Sequence, residues 1–256
     1  HVKTMLEISK LKKDLSKILH NNKPIRVFFK NHLSSTNDFL KYKYIKDQCP
    51  IVVATNNQRA SRGRNNKIWF SFNQKSLSFS LCLKLNANDI ELGKLNYLSC
   101  LAVFKAFREV TDYSFKIKWP NDIYLDDKKV SGILIESQSF GKDIFLSLGI
   151  GINVNIDESF NVNQPHSNLG LNIDQTKLVY SFCDNLFNIL EEENKGECVK
   201  EFNDNLLAIN EVVSISIGDA VYKGVLLGIR EDGALMINED NNVLTINDID
   251  STLRLI

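Results

Sequence analysis

The sequence predicts an α+β protein with a mixed or antiparallel sheet. Three observations lead there. Amphipathic helical stretches and strand-like runs interleave without a regular βαβ alternation. The chain has 256 residues, 43% of them hydrophobic, enough to bury a sizeable core in one or two domains. Four of its twelve glycines (Gly218, Gly224, Gly228 and Gly233) fall within 16 residues between short β-branched runs, which reads as a small β-barrel over residues 211–256. The expected division is therefore 1–210 and 211–256, with no Pro- or Ser-rich linker between them.

Taken in order, residues 5–20 place Leu11, Leu15, Ile18 and Leu19 on one helical face with lysines opposite. Pro24 and the run Val27 to Phe29 suggest a strand, and Ser35-Thr36 offers N-cap chemistry to a short helix. Ile51 to Thr55 and the alternating Leu77 to Leu85 read as strands around a polar loop, 56–66. A long helix is expected over Leu92 to Val110. Strands follow at 114–118, 123–125, 130–136 and 144–152, the second and third joined by a turn at Asp126-Asp127. Helices are expected again at 174–192 and 197–209.

Composition excludes several functions. With 31 basic and 31 acidic side chains the net charge is zero, which removes the simplest argument for nucleic-acid binding. No apolar run reaches the roughly 18 residues of a membrane span, and no charged-then-apolar leader opens the chain. The five cysteines (49, 82, 100, 183 and 198) never form C-x-x-C, and the four histidines (1, 20, 32 and 166) are scattered. Reduced core thiols in a cytoplasmic protein, with no metal cage, fit that usage. His1 is no initiator, so Met5 is the expected natural start and residues 1–4 an addition.

Four segments carry chemical promise. Arg59, Arg62 and Arg64 stand close together around Gly63, after Gln58 and before Trp69. Guanidinium forks there suit phosphate or carboxylate, although a solvated loop accounts for an isolated R-x-R. Lys118-Trp119-Pro120-Asn121-Asp122 is either a rigid turn or a place where Asn121 and Asp122 meet a hydrated cation, sugar or phosphate. Lys128 and Lys129 lead into Gly132, and a glycine inside a strand marks close approach of a ligand or another backbone. Gly149 and Gly151 alternate before Asn153 and leave a flat face for a planar group. That segment is no dinucleotide fingerprint, and no Walker P-loop occurs.

Together, and in this order, these segments resemble the biotin protein ligases (biotin–acetyl-CoA-carboxylase ligases). The matching signatures are Ser35-Thr36-Asn37, Gln58 with Arg62-Gly63-Arg64 and Trp69, Lys118 to Asp122, Lys129 with Gly132, and Gly149 to Asn153. Ile217-Gly218-Asp219 and Gly233-Ala234-Leu235 are similar to the SH3-like C-terminal domain of that family. The resemblance implies a class II synthetase-like catalytic domain that makes biotinyl-5′-AMP from biotin and ATP with Mg²⁺. Biotin would then pass to one lysine of a biotin carboxyl carrier domain.

It also implies roles. Ser35, Thr36, Asn37 and Gln58 would line the biotin site, with Arg62, Gly63, Arg64, Lys129, Gly132, Gly149 and Gly151 around it. Arg62, Arg64, Trp69, Asn121, Lys129 and Asn153 would serve ATP. Lys129 and Arg64 would offset charge on the reacting phosphate, and Asp122, near any Mg²⁺, would accept a proton from the incoming lysine. In the family the loop usually begins with Gly where Ser61 stands and often carries further Arg or Gly where this chain has Asn65, Asn66 and Lys67, so the adenylate would be held less tightly or the loop would order differently. The stretch before the first strand is too short for the DNA-binding module of repressor members, so no DNA binding is expected. Homodimers occur in that family, and nothing in the sequence decides the matter here. A lipoate–protein ligase and a non-catalytic biotin- or nucleotide-sensing protein are the alternative readings.

Overall fold

A computed structural model describes residues 6–43, 49–86, 92–140, 142–157, 165–191, 195–248 and 250–256. The expected start at Met5 and the expected addition over residues 1–4 lie outside them. Strands β1 (Leu19–His20) and β2 (Lys23–Pro24) form a small ribbon. The main sheet uses β3 (Arg26–Lys30), β4 (Ile51–Thr55), β5 (Ser76–Asn86), β6 (Phe115–Lys118), β7 (Asp122–Leu125), β8 (Lys128–Phe140) and β9 (Asp143–Asn153). Its order is β3-β4-β5-β9-β8-β7-β6, with β3–β4 parallel and every other pair antiparallel. The sequence expectation of a mixed sheet with helices is met.

Side-chain alternation decides what each face does. On β5, Leu77, Phe79, Leu81 and Leu83 are buried against α3 (Leu92–Val110) and α4 (Gln175–Glu191) in the main core. The intervening residues, Ser76, Ser78, Ser80 and Cys82, face the other side. There α2 (Thr36–Lys43) covers only one end, packing Leu40 on Ile51, Val53, Cys82 and Phe145. The rest of that face is lined by small residues and stays concave. All five cysteines are buried, and none forms a disulfide.

Two expected helices are shorter than predicted. The first, α1, covers Ile8–Leu15 and buries Leu11 and Leu15 as expected. Ile18 and Leu19 leave it, because Asn21 and Asn22 adopt left-handed φ values of 52° and 60° and turn the chain into the β1–β2 ribbon. Leu19 is consequently exposed. The second, α5 (Lys195–Asp204), stops before 209 because the chain switches to pairing with edge strand β6. Ile117 N donates to Asn205 O at 2.9 Å and Leu207 N to Ile117 O at 2.8 Å. That pairing also covers an open sheet edge.

The C-terminal strands are β10 (Val212–Ile217), β11 (Ala220–Ile229), β12 (Leu235–Glu239), β13 (Asn242–Ile246) and β14 (Thr252–Leu255). They form an antiparallel sheet in the order β13-β12-β11-β10-β14, with a bulge between Leu226 and Gly228. Val213, Ile215 and Leu226 belong to the same contiguous core as the main sheet. Among the described residues, no helix is long and apolar enough to cross a membrane.

Candidate functional site

The concave face forms the floor of a cavity of about 430 Å³, within the size range of small-molecule sites. Strand register makes that floor from small residues: Ser78 pairs with Gly151, Ser80 with Gly149, and Gly151 in turn with Gly132. A Cβ at Gly149 would meet Asn37 Oδ1 at 2.6 Å, and one at Gly151 would collide with the indole of Trp69. The flat face read from the glycine alternation is therefore real. Much of it carries the chain's own Trp69.

One wall is the N-terminus of α2. Ser35 caps it, accepting from Asp38 N at 3.3 Å. Thr36 N and Oγ1 both donate to Gln58 Oε1, at 2.7 and 3.0 Å. The Ser80 hydroxyl lies 2.7 Å from Thr36 Oγ1 and 2.6 Å from Asn37 Oδ1. Asn37 Nδ2 reaches Glu136 Oε2 at 2.8 Å. These buried groups are held by one another and so are pre-oriented. Ser80 was not anticipated, although its place opposite leucines and phenylalanine on an alternating strand put it on the cavity side.

The basic loop forms the roof. Ser61 Oγ donates to Trp69 O at 2.5 Å and Trp69 N to Ser61 O at 3.2 Å, closing the loop at its base. Gly63 N bonds Lys67 O at 2.7 Å, and a single 3-10 turn at Arg64–Asn66 makes the tip. Two anchors hold it. Arg62 pairs with Asp38 and approaches Glu136 at 3.9 Å, while Lys41 holds Glu136 at 2.6 Å. Arg64 donates to Asn121 Oδ1 at 2.6 Å and to Ser251 O at 3.1 Å, and Asn65 Nδ2 to Asp250 O at 3.0 Å. The C-terminal sheet thus holds the tip of the loop.

The remaining wall is the turn between β6 and β7. Asn96 Nδ2 and Cys100 Sγ, both from α3, hold the Pro120 carbonyl at 3.0 and 3.3 Å. Asn121 Nδ2 donates to Ile133 O at 2.6 Å, so both ends of its amide are engaged within the protein. Lys129 Nζ lies 2.7 Å from Asp122 Oδ1 and 5.5 Å from the Trp69 ring centroid. Lys118 Nζ donates to the Tyr124 hydroxyl at 3.2 Å. Burial pulls the Lys118 ammonium below the usual lysine range; Asp122 opposes that, and Lys129, Arg254 and Lys67 add to it. Burial, and secondarily Asp122, raises the Tyr124 phenol, while burial lowers Arg64 against the pull of Asp122 and Asp250.

Every site residue expected from the sequence, from Ser35 to Asn153, lines this one cavity. The described lining carries five lysine and arginine side chains, Arg62, Arg64, Lys67, Lys118 and Lys129, against a single carboxylate, Asp122. Sequence reasoning missed His166 and the contribution of Ser251 to Leu253, which reach the cavity from distant parts of the chain. Among the described residues no group of three His, Cys, Asp or Glu side chains exists that could hold a metal, and Asp122 is already paired. The site does not fit a resident metal ion.

Residues 29–155 match the biotin/lipoate A/B protein ligase family. The bifunctional ligase/repressor BirA of Escherichia coli (strain K12) is 28% identical over 218 residues, 81% of this chain and 68% of its own length. Biotin–protein ligase 1, chloroplastic, of Arabidopsis thaliana is 34% identical over 128 residues, 48% of this chain and 34% of that one. A biotin protein ligase from Aquifex aeolicus, solved with biotin and ATP, superposes with a TM-score of 0.77 at 26% identity, covering 90% of this chain and 99% of that one.

Proposed function

Because the chain belongs to the biotin/lipoate A/B protein ligase family and is homologous to biotin protein ligases, we propose that it joins biotin to ATP and transfers the biotinyl group to a lysine of a carrier domain. One observation carries this reading: a chain of zero net charge gathers Arg64, Lys67, Lys118 and Lys129 around Asp122, the one carboxylate of the described lining, with Arg62 held beside them by Asp38 and Glu136. Joining two anions needs that arrangement. The biotin carboxylate attacks the α-phosphorus, the bond to pyrophosphate breaks, and Arg64 and Lys129 offset the charge that builds on the phosphate oxygens. Mg²⁺ arrives with ATP as the counter-ion of its triphosphate. The polar wall of Ser35, Thr36, Asn37 and Gln58 hydrogen-bonds the ureido ring, Gly132, Gly149 and Gly151 leave it room, and Asn153 and Trp69 serve the nucleotide.

In the second step the carrier lysine amine attacks the biotinyl carbonyl and AMP leaves. Asp122 takes the proton from that amine. The loop closed by Arg62, Gly63 and Arg64 keeps water from the mixed anhydride. Residues 211–256 form the SH3-like barrel and 1–210 the catalytic domain. The carrier is the biotin carboxyl carrier domain of a carboxylase, and the setting is the cytoplasm, where buried thiols stay reduced.

The test is ATP–pyrophosphate exchange with biotin or lipoate as the acid, followed by intact mass of a carrier fragment. Exchange with biotin and a carrier heavier by one biotinyl group are expected. Exchange driven by lipoate alone, or none, overturns the reading.

A further inference from the structure

His166 reaches the cavity although the spacing of the histidines gave no reason to expect it. Its backbone is tied on both sides. Lys129 N donates to Pro165 O at 3.3 Å, Ser167 N to Lys129 O at 2.9 Å, and Leu169 N to Asn153 O at 3.0 Å. The backbone that carries the imidazole is therefore fixed relative to Lys129 and the end of β9. Asn168 adds two bonds to the Ile156 backbone, at 2.8 and 2.9 Å, drawing the buried Ile156 side chain beside this segment. Yet His166 Nε2 is buried and, among the described residues, meets no hydrogen-bond partner. A polar atom withdrawn from water without compensation is unfavourable, and one that lines a ligand cavity is explained when the ligand completes it.

We propose that Nε2 of His166 hydrogen-bonds the edge of the adenine base of ATP and so sets the preference for that base. This rests on the reading that the cavity binds ATP. The phosphates have their own partners, Arg64, Lys118 and Lys129. His166 instead belongs to a wall with Ile156 and Asn153, next to the strand on which the flat Trp69 indole lies. Apolar and planar surfaces that carry two hydrogen-bonding nitrogens without a partner among the described residues, His166 Nε2 and Trp69 Nε1, suit a heteroaromatic ring. Adenine offers ring-nitrogen acceptors and an amino donor, so either imidazole tautomer finds a match.

The experiment compares wild type, His166→Phe and His166→Gln in pyrophosphate exchange, with folding of each checked by thermal melting. At saturating biotin, His166→Phe should raise the KM for ATP by roughly five- to tenfold and leave kcat and the KM for biotin near wild type. A narrowed preference for ATP over purine riboside triphosphate, which lacks the amino group, would show Nε2 accepting from that amino group, and an unchanged one would show it donating to a ring nitrogen. His166→Gln, able to hydrogen-bond, should return the KM for ATP towards wild type. His166→Leu replaces the phenylalanine variant if that one does not fold. An unchanged KM for ATP, a raised KM for biotin, or equal loss of kcat in the Phe and Gln variants would overturn the proposal. Absence of biotin-driven exchange in the wild type would instead overturn the proposed function, before any variant is compared.

Discussion

Lys129 stands between two unlike neighbours, the carboxylate of Asp122 and the face of Trp69. Both hold the ammonium at the cavity, where the proposed adenylation needs it. Lys129→Ala should lower the rate of biotinyl-5′-AMP formation at least tenfold, given about 2.7–4 kcal/mol for a comparable stabilising group. A wild-type exchange rate would remove Lys129 from the mechanism. Lys118 makes a complementary prediction. Burial lowers its pKa in the folded protein, so the charged form is destabilising below that pKa and the folded state gains stability as pH rises through it. Lys118→Met should therefore melt no lower than wild type near neutral pH while weakening ATP binding. Its advantage should shrink as the pH approaches the ordinary lysine range, and a melting difference independent of pH would contradict this.

In the proposed reaction, the basic loop is the element on which retention of the intermediate would depend. The Ser61 hydroxyl ties Trp69 O and closes the base of the loop. Beside that base the carboxylates of Asp38 and Glu136 hold Arg62, which is 44% exposed and therefore open to screening. The double variant Asp38→Asn, Glu136→Gln should release bound biotinyl-5′-AMP a few-fold faster and with a weaker dependence on ionic strength. Single-turnover release in low and high salt measures this, and identical salt dependence in both proteins would refute it. The strands under this loop were legible because alternation is a local signal: the leucines and serines of 77–85 separate onto two faces as the pleat requires. Helix ends were less legible. Ile18 and Leu19 fit the α1 face by period, and only the left-handed turn at Asn21 and Asn22 removes them. Similarly, α5 ends because an edge strand 88 residues earlier in sequence (Ile117 against Asn205) needs a partner. His166 and Ser251 came to the site by long-range contacts that leave no local pattern.

At the scale of the molecule, the C-terminal sheet bears on the catalytic cavity. Arg64 donates to Ser251 O, and the buried indole of Trp119 donates to Gly233 O at 3.1 Å. Gly233 sits where this contact is tightest. Its φ is +84°, and a Cβ there would meet Gly93 O, at the start of α3, at 2.7 Å. Gly218 is the natural control: its φ is +55°, but nothing lies within 4 Å of a Cβ. Gly218→Ala should cost only the left-handed conformation, about 1 kcal/mol. Gly233→Ala meets the same backbone cost and, in addition, a carbonyl fixed in the first turn of a buried helix, so it should lose about 2 kcal/mol more. Because the core is contiguous from the main sheet to Val213, Ile215 and Leu226, one urea transition should report both losses. Gly233→Ala should further slow adenylation, since the turn that carries Trp119 also carries Asn121, the acceptor of Arg64. Gly218→Ala should leave adenylation unchanged. Equal destabilisation by the two variants, or a separate early transition for residues 211–256, would show that the C-terminal sheet stands energetically apart from the cavity it helps to line.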